Sequence, residues 1–275
     1  MENRKVRAQY SGSNSNPEIS YTGKESFAIE PNVEHELYIP EKVLTSNFRA
    51  EMNPEVRKKL KHLSGRGAMI SGFTGTGKTS LVKYLAKEDG ALIIDVKKDD
   101  SAGIMNAKFK EAKNIASSGK KVYVIFDEID EFGSKEALNA DVSKISSLLR
   151  ELDGINSDAT GNIYYFGVTN DLPKVDQRLM RSGRLEELIE IPLPTAQQKE
   201  KIIATLLKET EYAGLVASSI PFISKKSKGF TPADLRGFLK DVYIGIINNE
   251  GKKNIEDLIN TKLKEFIPSV KKGFE

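Results

Sequence analysis

Gly72-Phe73-Thr74-Gly75-Thr76-Gly77-Lys78-Thr79 has the spacing G-x-x-x-x-G-K-[ST]. Glycines allow the backbone to turn successive N–H groups toward one point, where they can cradle phosphate oxygens. The ammonium of Lys78 suits β- and γ-phosphate oxygens, and the hydroxyl of Thr79 suits Mg2+. Further along, Lys121-Val122-Tyr123-Val124-Ile125-Phe126-Asp127-Glu128 runs an apolar stretch into two carboxylates. Asp127 is expected to hold Mg2+ through its water shell. Glu128, one residue on and pointing elsewhere, is expected to polarise a water for in-line attack on a γ-phosphate. Taken singly, the first motif also describes a bare Gly-rich turn and the second a solvated acidic loop. Their specificity comes from what flanks them: an apolar segment before the glycines, a helical pattern after them, and a buried strand before the acids.

The elements that must position these residues can be read from the spacing of apolar side chains. Short apolar segments occur at Ala68–Ser71, Ala91–Val96, Val122–Phe126, Ile163–Val168 and Leu188–Ile191, with helical patterns between most of them. One such pattern runs from Asp141 to Asp153, with Val142, Ile145, Leu148, Leu149 and Leu152 on one stripe and Gly154 as the stop. The alternation predicts an α/β fold, a five-stranded parallel sheet with helices on both faces. Ligands bind beyond the C-terminal edge of such sheets, which is where the glycines and the acids fall.

After Pro194 the strand signal ends. Thr195 and Gln198 form a capping box ahead of Ile202, Ile203, Leu206 and Leu207. Thr231-Pro232 opens a helix bearing Leu235, Phe238, Leu239, Val242 and Ile246, and a last helix is predicted over Asn254 to Phe266. The expected organisation is a flexible polar arm over 1–30, an α/β P-loop domain over 31–194 and a small all-helical domain over 195–275. Within 31–67 the spacing predicts one helix, from Pro54 at its first position to Leu63, with Asn53 as N-cap.

Composition narrows the chemistry. Cysteine is absent, which removes disulfides, thiolate nucleophiles and cysteine-ligated zinc. The two histidines, His35 and His62, have no carboxylate in metal-motif spacing, and no G-x-S-x-G occurs. Lys and Arg total 42 against 39 for Asp and Glu, too even a balance to mark nucleic acid or an anionic membrane as the main partner. No apolar run is long enough to span a bilayer and the N-terminus lacks an apolar signal core, so a cytoplasmic setting is expected.

Further motifs carry a family resemblance. Leu148-Leu149-Arg150-Glu151-Leu152-Asp153-Gly154, Gly167-Val168-Thr169-Asn170, Arg178-Leu179-Met180-Arg181-Ser182-Gly183-Arg184 and Ile189-Glu190-Ile191-Pro192 with Pro194 follow in order. With Gly229-Phe230-Thr231-Pro232-Ala233-Asp234-Leu235 they resemble the AAA clade of the AAA+ ATPases, the group that includes FtsH, katanin and spastin. Pro268-Ser269-Val270 is similar to the C-terminal helix of the katanin and spastin group. The resemblance covers residues 68 to 275. It implies an ATP-hydrolysing, Mg2+-dependent enzyme with nucleotide held between the α/β domain and a helical lid, in a homo-oligomeric ring that is usually hexameric. Gly72, Thr74, Gly75, Thr76, Gly77, Lys78, Thr79, Ser80 and Asp127 then form the nucleotide site, with Thr79 and Asp127 serving the metal.

Asn170 matches sensor 1, which orients the lytic water, and Arg181 and Arg184 match the arginine fingers that enter a neighbour's site. Phosphoryl transfer spreads charge over the γ-phosphate oxygens, so a fixed guanidinium there is worth orders of magnitude in rate. Ten arginines stand against thirty-two lysines, yet Arg178, Arg181 and Arg184 cluster, as if a forked, rigid cation were needed. The competing reading pairs them with Glu186 and Glu187 as surface ion pairs. Arg236 is either a sensor 2 contacting γ-phosphate in cis or an ordinary exposed helix residue. Asp130 and Glu131 read as structural or interface acids.

The chain departs from the family in one informative place. Protein-threading members carry an aromatic-hydrophobic-Gly tripeptide on the loop after the second strand. Here Lys97 to Ala107 contains no aromatic residue, leaving Ile104 and Met105 as weak grips. Three functions follow: a ring ATPase remodelling a protein client or assembly, a nucleic-acid ATPase of the loader or helicase-adaptor type kept open by Lys97, Lys98, Lys225 and Lys226, and an assembly switch with little turnover. The even charge and the arginine pair favour the first.

Overall fold

The computed structural model describes residues 54–61, 63, 66–134, 142–154, 159–208, 210, 212–248 and 254–269. The expected arm over 1–30, Asn53, His35 and His62 lie outside them. The chain divides into two compact units, one ending at Leu193 and the other beginning at Pro194.

The first unit is an α/β layer structure. In chain order it holds α1 (Pro54–Lys61), β1 (Gly67–Ser71), α2 (Lys78–Glu88), β2 (Leu92–Val96), α3 (Ala102–Ser117), β3 (Val122–Phe126), a single turn α4 (Ile129–Phe132), α5 (Val142–Asp153), β4 (Ile163–Thr169) and β5 (Glu187–Glu190). The strands lie in the order β2-β3-β4-β1-β5, all parallel. Strand periodicity sends alternate side chains to opposite faces. Met69, Val124, Phe126 and Tyr165 pack with Met105, Phe109, Leu148 and Leu152 of α3 and α5. Ala68, Ile70, Ile125, Phe166 and Val168 pack on the other face with Val56 and Leu60 of α1 and Leu81 and Leu85 of α2. Burial on both faces explains why β1 and β3 read as unbroken apolar runs.

Two expectations are corrected. Val142 was placed on the apolar stripe of α5, but it is 68% exposed; the helix begins there, and the stripe that reaches the core is Ile145, Leu148 and Leu152, with Leu149 partly buried beside it. The segment after β2 offers almost no loop. Asp100 closes it, accepting from the Lys97 N–H at 2.8 Å, and Ser101 caps α3. Met105 is therefore in the core with no exposed surface, and only Ile104, 48% exposed, faces outward.

The second unit is helical: α6 (Ala196–Leu207), α7 (Ala213–Val216), α8 (Ile220–Lys226), α9 (Pro232–Ile247) and α10 (Ile255–Glu265). The capping box of Thr195 and Gln198 opens α6 as the sequence predicts. Thr231 and Asp234 form a second box on α9. Asp234 also accepts from the Ser269 N–H at 3.1 Å and hydroxyl at 2.6 Å. Phe266 meets Phe230 at 4.9 Å and Phe238 at 5.9 Å between ring centres, fastening the end of α10 to α9. Among the described residues no helix is long and apolar enough to cross a membrane.

Candidate active site

Three interior strands deliver the expected residues to one edge of the sheet. β1 leads into Gly72, β3 into Asp127 and β4 into Asn170. The glycine loop has the shape a phosphate cradle requires. Gly72, Gly75 and Gly77 have φ of 148°, 81° and 91°, a range that side chains disfavour. A Cβ on Gly72 would meet the Ile191 carbonyl oxygen at 2.6 Å, so backbone freedom and space both demand glycine there. Thr76 closes the loop, its hydroxyl donating to the Phe73 carbonyl at 2.8 Å, and Gly77 hands the chain to α2. The N-terminal end of α2 adds a partial positive charge at the same point. Thr74 is exposed, while Gly72, Thr79 and Ser80 are half-buried.

Lys78 is buried, and its ammonium donates to the Gly72 carbonyl at 2.7 Å, the Phe73 carbonyl at 3.0 Å and Asn170 Oδ1 at 2.6 Å. Burial pushes its pKa down to about 8, a fall that the negative charges of Asp130 and Asp127 oppose. The Thr79 hydroxyl donates to Asp127 Oδ1 at 2.9 Å. A hydroxyl and a carboxylate side by side are hard oxygen donors of the kind Mg2+ takes from a protein when phosphate oxygens and water complete its shell. The donor set and the glycine cradle therefore fit a magnesium nucleotide.

Glu128 is the one described non-glycine residue with positive φ, at 54° with ψ 44°. A side chain in the left-handed region costs about 1–2 kcal/mol, and such strain gathers at functional positions. The twist lets two adjacent acids diverge: Asp127 turns to Thr79, while Glu128 is exposed. Lys98, on the turn after β2, lies 3.6 Å from Glu128 and 2.8 Å from Glu131. From sequence, Lys98 reads as a nucleic-acid contact and Asp130 as a structural or interface acid, and neither is placed at this site. Asp130 Oδ1 is buried without a hydrogen-bond partner, and its charge acts on Lys78. Spacing offers no signal for Asp130: Asp127 precedes the helical turn, and the left-handed Glu128 between them breaks the i, i+3 register.

Arg181 and Arg184 have different surroundings. Arg181 is exposed, and among the described residues its side chain has no ion pair. The Arg184 side chain is 14% exposed and donates from Nε to Asp153 Oδ1 at 2.6 Å. Arg178 forks onto Asp176 through two bonds of 3.1 Å. Glu186 accepts from Ser182 and Gly183, so the pairing with Glu186 weighed from sequence is replaced by Asp153. Arg236 is half-buried on α9, in the helical unit.

Comparison with known proteins fits this geometry. The family model described as "ATPase family associated with various cellular activities (AAA)" matches residues 68–193. Those residues are an AAA ATPase domain. The span of that AAA domain runs from β1 past β5 and so includes every strand of the sheet. A proteasome-activating nucleotidase of Saccharolobus islandicus is 29% identical over 226 residues, covering 77% of this chain and 56% of that protein. A proteasome-activating nucleotidase of Sulfurisphaera tokodaii is 30% identical over 222 residues, covering 75% and 55%. The chain thus spans little more than half the length of these relatives, but the match extends beyond the AAA domain on this side.

Proposed function

We propose that this protein hydrolyses ATP with Mg2+ in a homo-oligomeric ring, hexameric as the family resemblance implies, and uses the cycle to remodel a protein client or assembly. The observation that carries the reading is the convergence of Lys78, Asn170, Thr79 and Asp127 at the ends of three adjacent strands, beside a strained Glu128. Backbone N–H groups of the glycine loop and the ammonium of Lys78 bind the phosphates. Thr79 and Asp127 would hold Mg2+, which supplies charge neutralisation across the β- and γ-phosphates. Glu128 accepts the proton of the attacking water. Asn170, released from Lys78 as that ammonium turns to phosphate, orients the same water. Arg181 contributes its guanidinium to the next subunit, where a preorganised cation facing the developing charge is most effective.

The names of the relatives support a protein client rather than nucleic acid. The mode of action is less one of aromatic gripping than in threading enzymes, because the β2–α3 turn is short, lacks an aromatic residue and buries Met105.

The test is complementation. Arg181→Ala and Glu128→Gln proteins are each expected to lose nearly all turnover. Mixed, they form interfaces at which an intact Glu128 meets an intact Arg181. For random 1:1 mixing in a head-to-tail ring, turnover should recover to about a quarter of wild type. No recovery at any ratio overturns the shared-site reading.

A further inference from the structure

The two arginines expected to act alike are built differently, and the loop that bears them shows why. Its ends are held together by the Leu185 N–H donating to the Leu179 carbonyl at 3.1 Å, with both leucines buried. Its tip is a turn in which the Arg184 N–H donates to the Arg181 carbonyl at 3.0 Å, with Gly183 at φ 84°. Arg184 is fixed three ways. Its carbonyl lies against β1, so close that a Cβ on Gly67 would sit 2.0 Å from the oxygen. Its Nε donates to Asp153, the last residue of α5, and its Nη1 donates to the Arg178 carbonyl across the loop. The C-terminal end of α5 carries partial negative charge, which favours a cation at that spot. Among the described residues nothing comparable holds Arg181.

We infer that Arg184 is a positioning residue: clamped between Asp153 and the Arg178 carbonyl, it sets the loop from which Arg181 alone reaches the neighbouring subunit. This deepens the shared-site reading above and rests on it. A guanidinium bonded through Nε and Nη1 and mostly covered cannot swing out toward a phosphate without breaking both bonds. Arginine suits the task because one planar fork can serve two acceptors in different directions, which an ammonium cannot do with fixed geometry.

The test is a cycle of Asp153→Ala, Arg184→Ala and the double variant in the full-length protein, with Asp153→Asn as a milder change that keeps an acceptor for Nε. If Arg184 acts through Asp153, each alanine variant loses kcat, on the order of tenfold to a hundredfold for a misplaced catalytic group. KM changes little, the double variant is no worse than Arg184→Ala, and Asp153→Asn falls between. If Arg184 is itself a finger restrained by Asp153, Asp153→Ala leaves kcat unchanged or raises it, and that outcome overturns the proposal. A second readout needs no turnover. Amide exchange of residues 179–185 in nucleotide-free protein should quicken in both alanine variants. Unchanged exchange in both also overturns the proposal. This measurement separates the outcomes: quickened exchange without complementation between Arg181→Ala and Glu128→Gln would retain the clamp and remove the shared site.

Discussion

Lys78 is the group through which pH should control nucleotide affinity. It is buried against two carbonyls and an amide oxygen, and its pKa of about 8 lies far below the ordinary 10.5. The charged form is the one that binds phosphate. With a pKa of about 8, roughly nine-tenths of the empty protein is competent at pH 7 and roughly one-tenth at pH 9. Bound phosphate keeps the ammonium charged throughout that window, so the dissociation constant should weaken about tenfold, or about 1.4 kcal/mol. The stability of the empty protein should move the other way. The unfolded chain holds this proton more tightly than the native protein, so stability rises as pH climbs from about 8 toward 10.5. The assay is equilibrium binding of a fluorescent ATP analogue with Mg2+ to the Glu128→Gln protein between pH 7 and 9. Lys78→Met serves as the non-titrating control, expected to bind weakly at every pH. A wild-type profile that stays flat, or a Lys78→Met profile that keeps the tenfold slope, would refute the reasoning.

Two further outcomes follow from local geometry. Glu128→Gly should abolish turnover yet raise stability by about 1 kcal/mol, seen as a higher midpoint in thermal or urea unfolding, because glycine accepts the positive φ without strain. Glu151→Ala should lower stability by about 1–3 kcal/mol. The buried Tyr165 hydroxyl donates to Glu151 at 2.7 Å and would lose its acceptor, whereas the more exposed Lys113, 2.6 Å from the other oxygen, returns to water; Tyr165→Phe in the same background should recover much of the loss.

What the sequence made legible is what sequence spacing encodes. The glycine loop is a local object: its shape, its lysine and its hydroxyl follow from eight consecutive residues, and its backbone angles are those that the glycines imply. β1 and β3 were legible because both of their faces are covered, so each reads as an apolar run. Contacts between distant residues were not legible. Arg184 finds Asp153 thirty-one positions away, although Glu186 and Glu187 are nearer in sequence. Periodicity also misled at an element's first turn. Val142 matches the stripe of α5 in spacing, but at the start of the helix it is 68% exposed. Met105 has the opposite history. It was read as part of a loop because the family resemblance places one after the second strand, but Ser101 starts the helix early and turns the methionine inward. The role of Glu151 inside a recognised motif became clear only with the partner it meets on β4.

The strand order has a mechanical consequence. Gly72, Asp127 and Asn170 hang from β1, β3 and β4, and each of those strands is laced to a neighbour on both sides. The Arg181 loop instead enters β5, which among the described residues pairs on one side only. Fraying of a sheet begins at its margins, so in the proposed ring the grip on phosphate should outlast the connection to the next subunit. An engine that strains against its load would then lose communication before it drops its fuel.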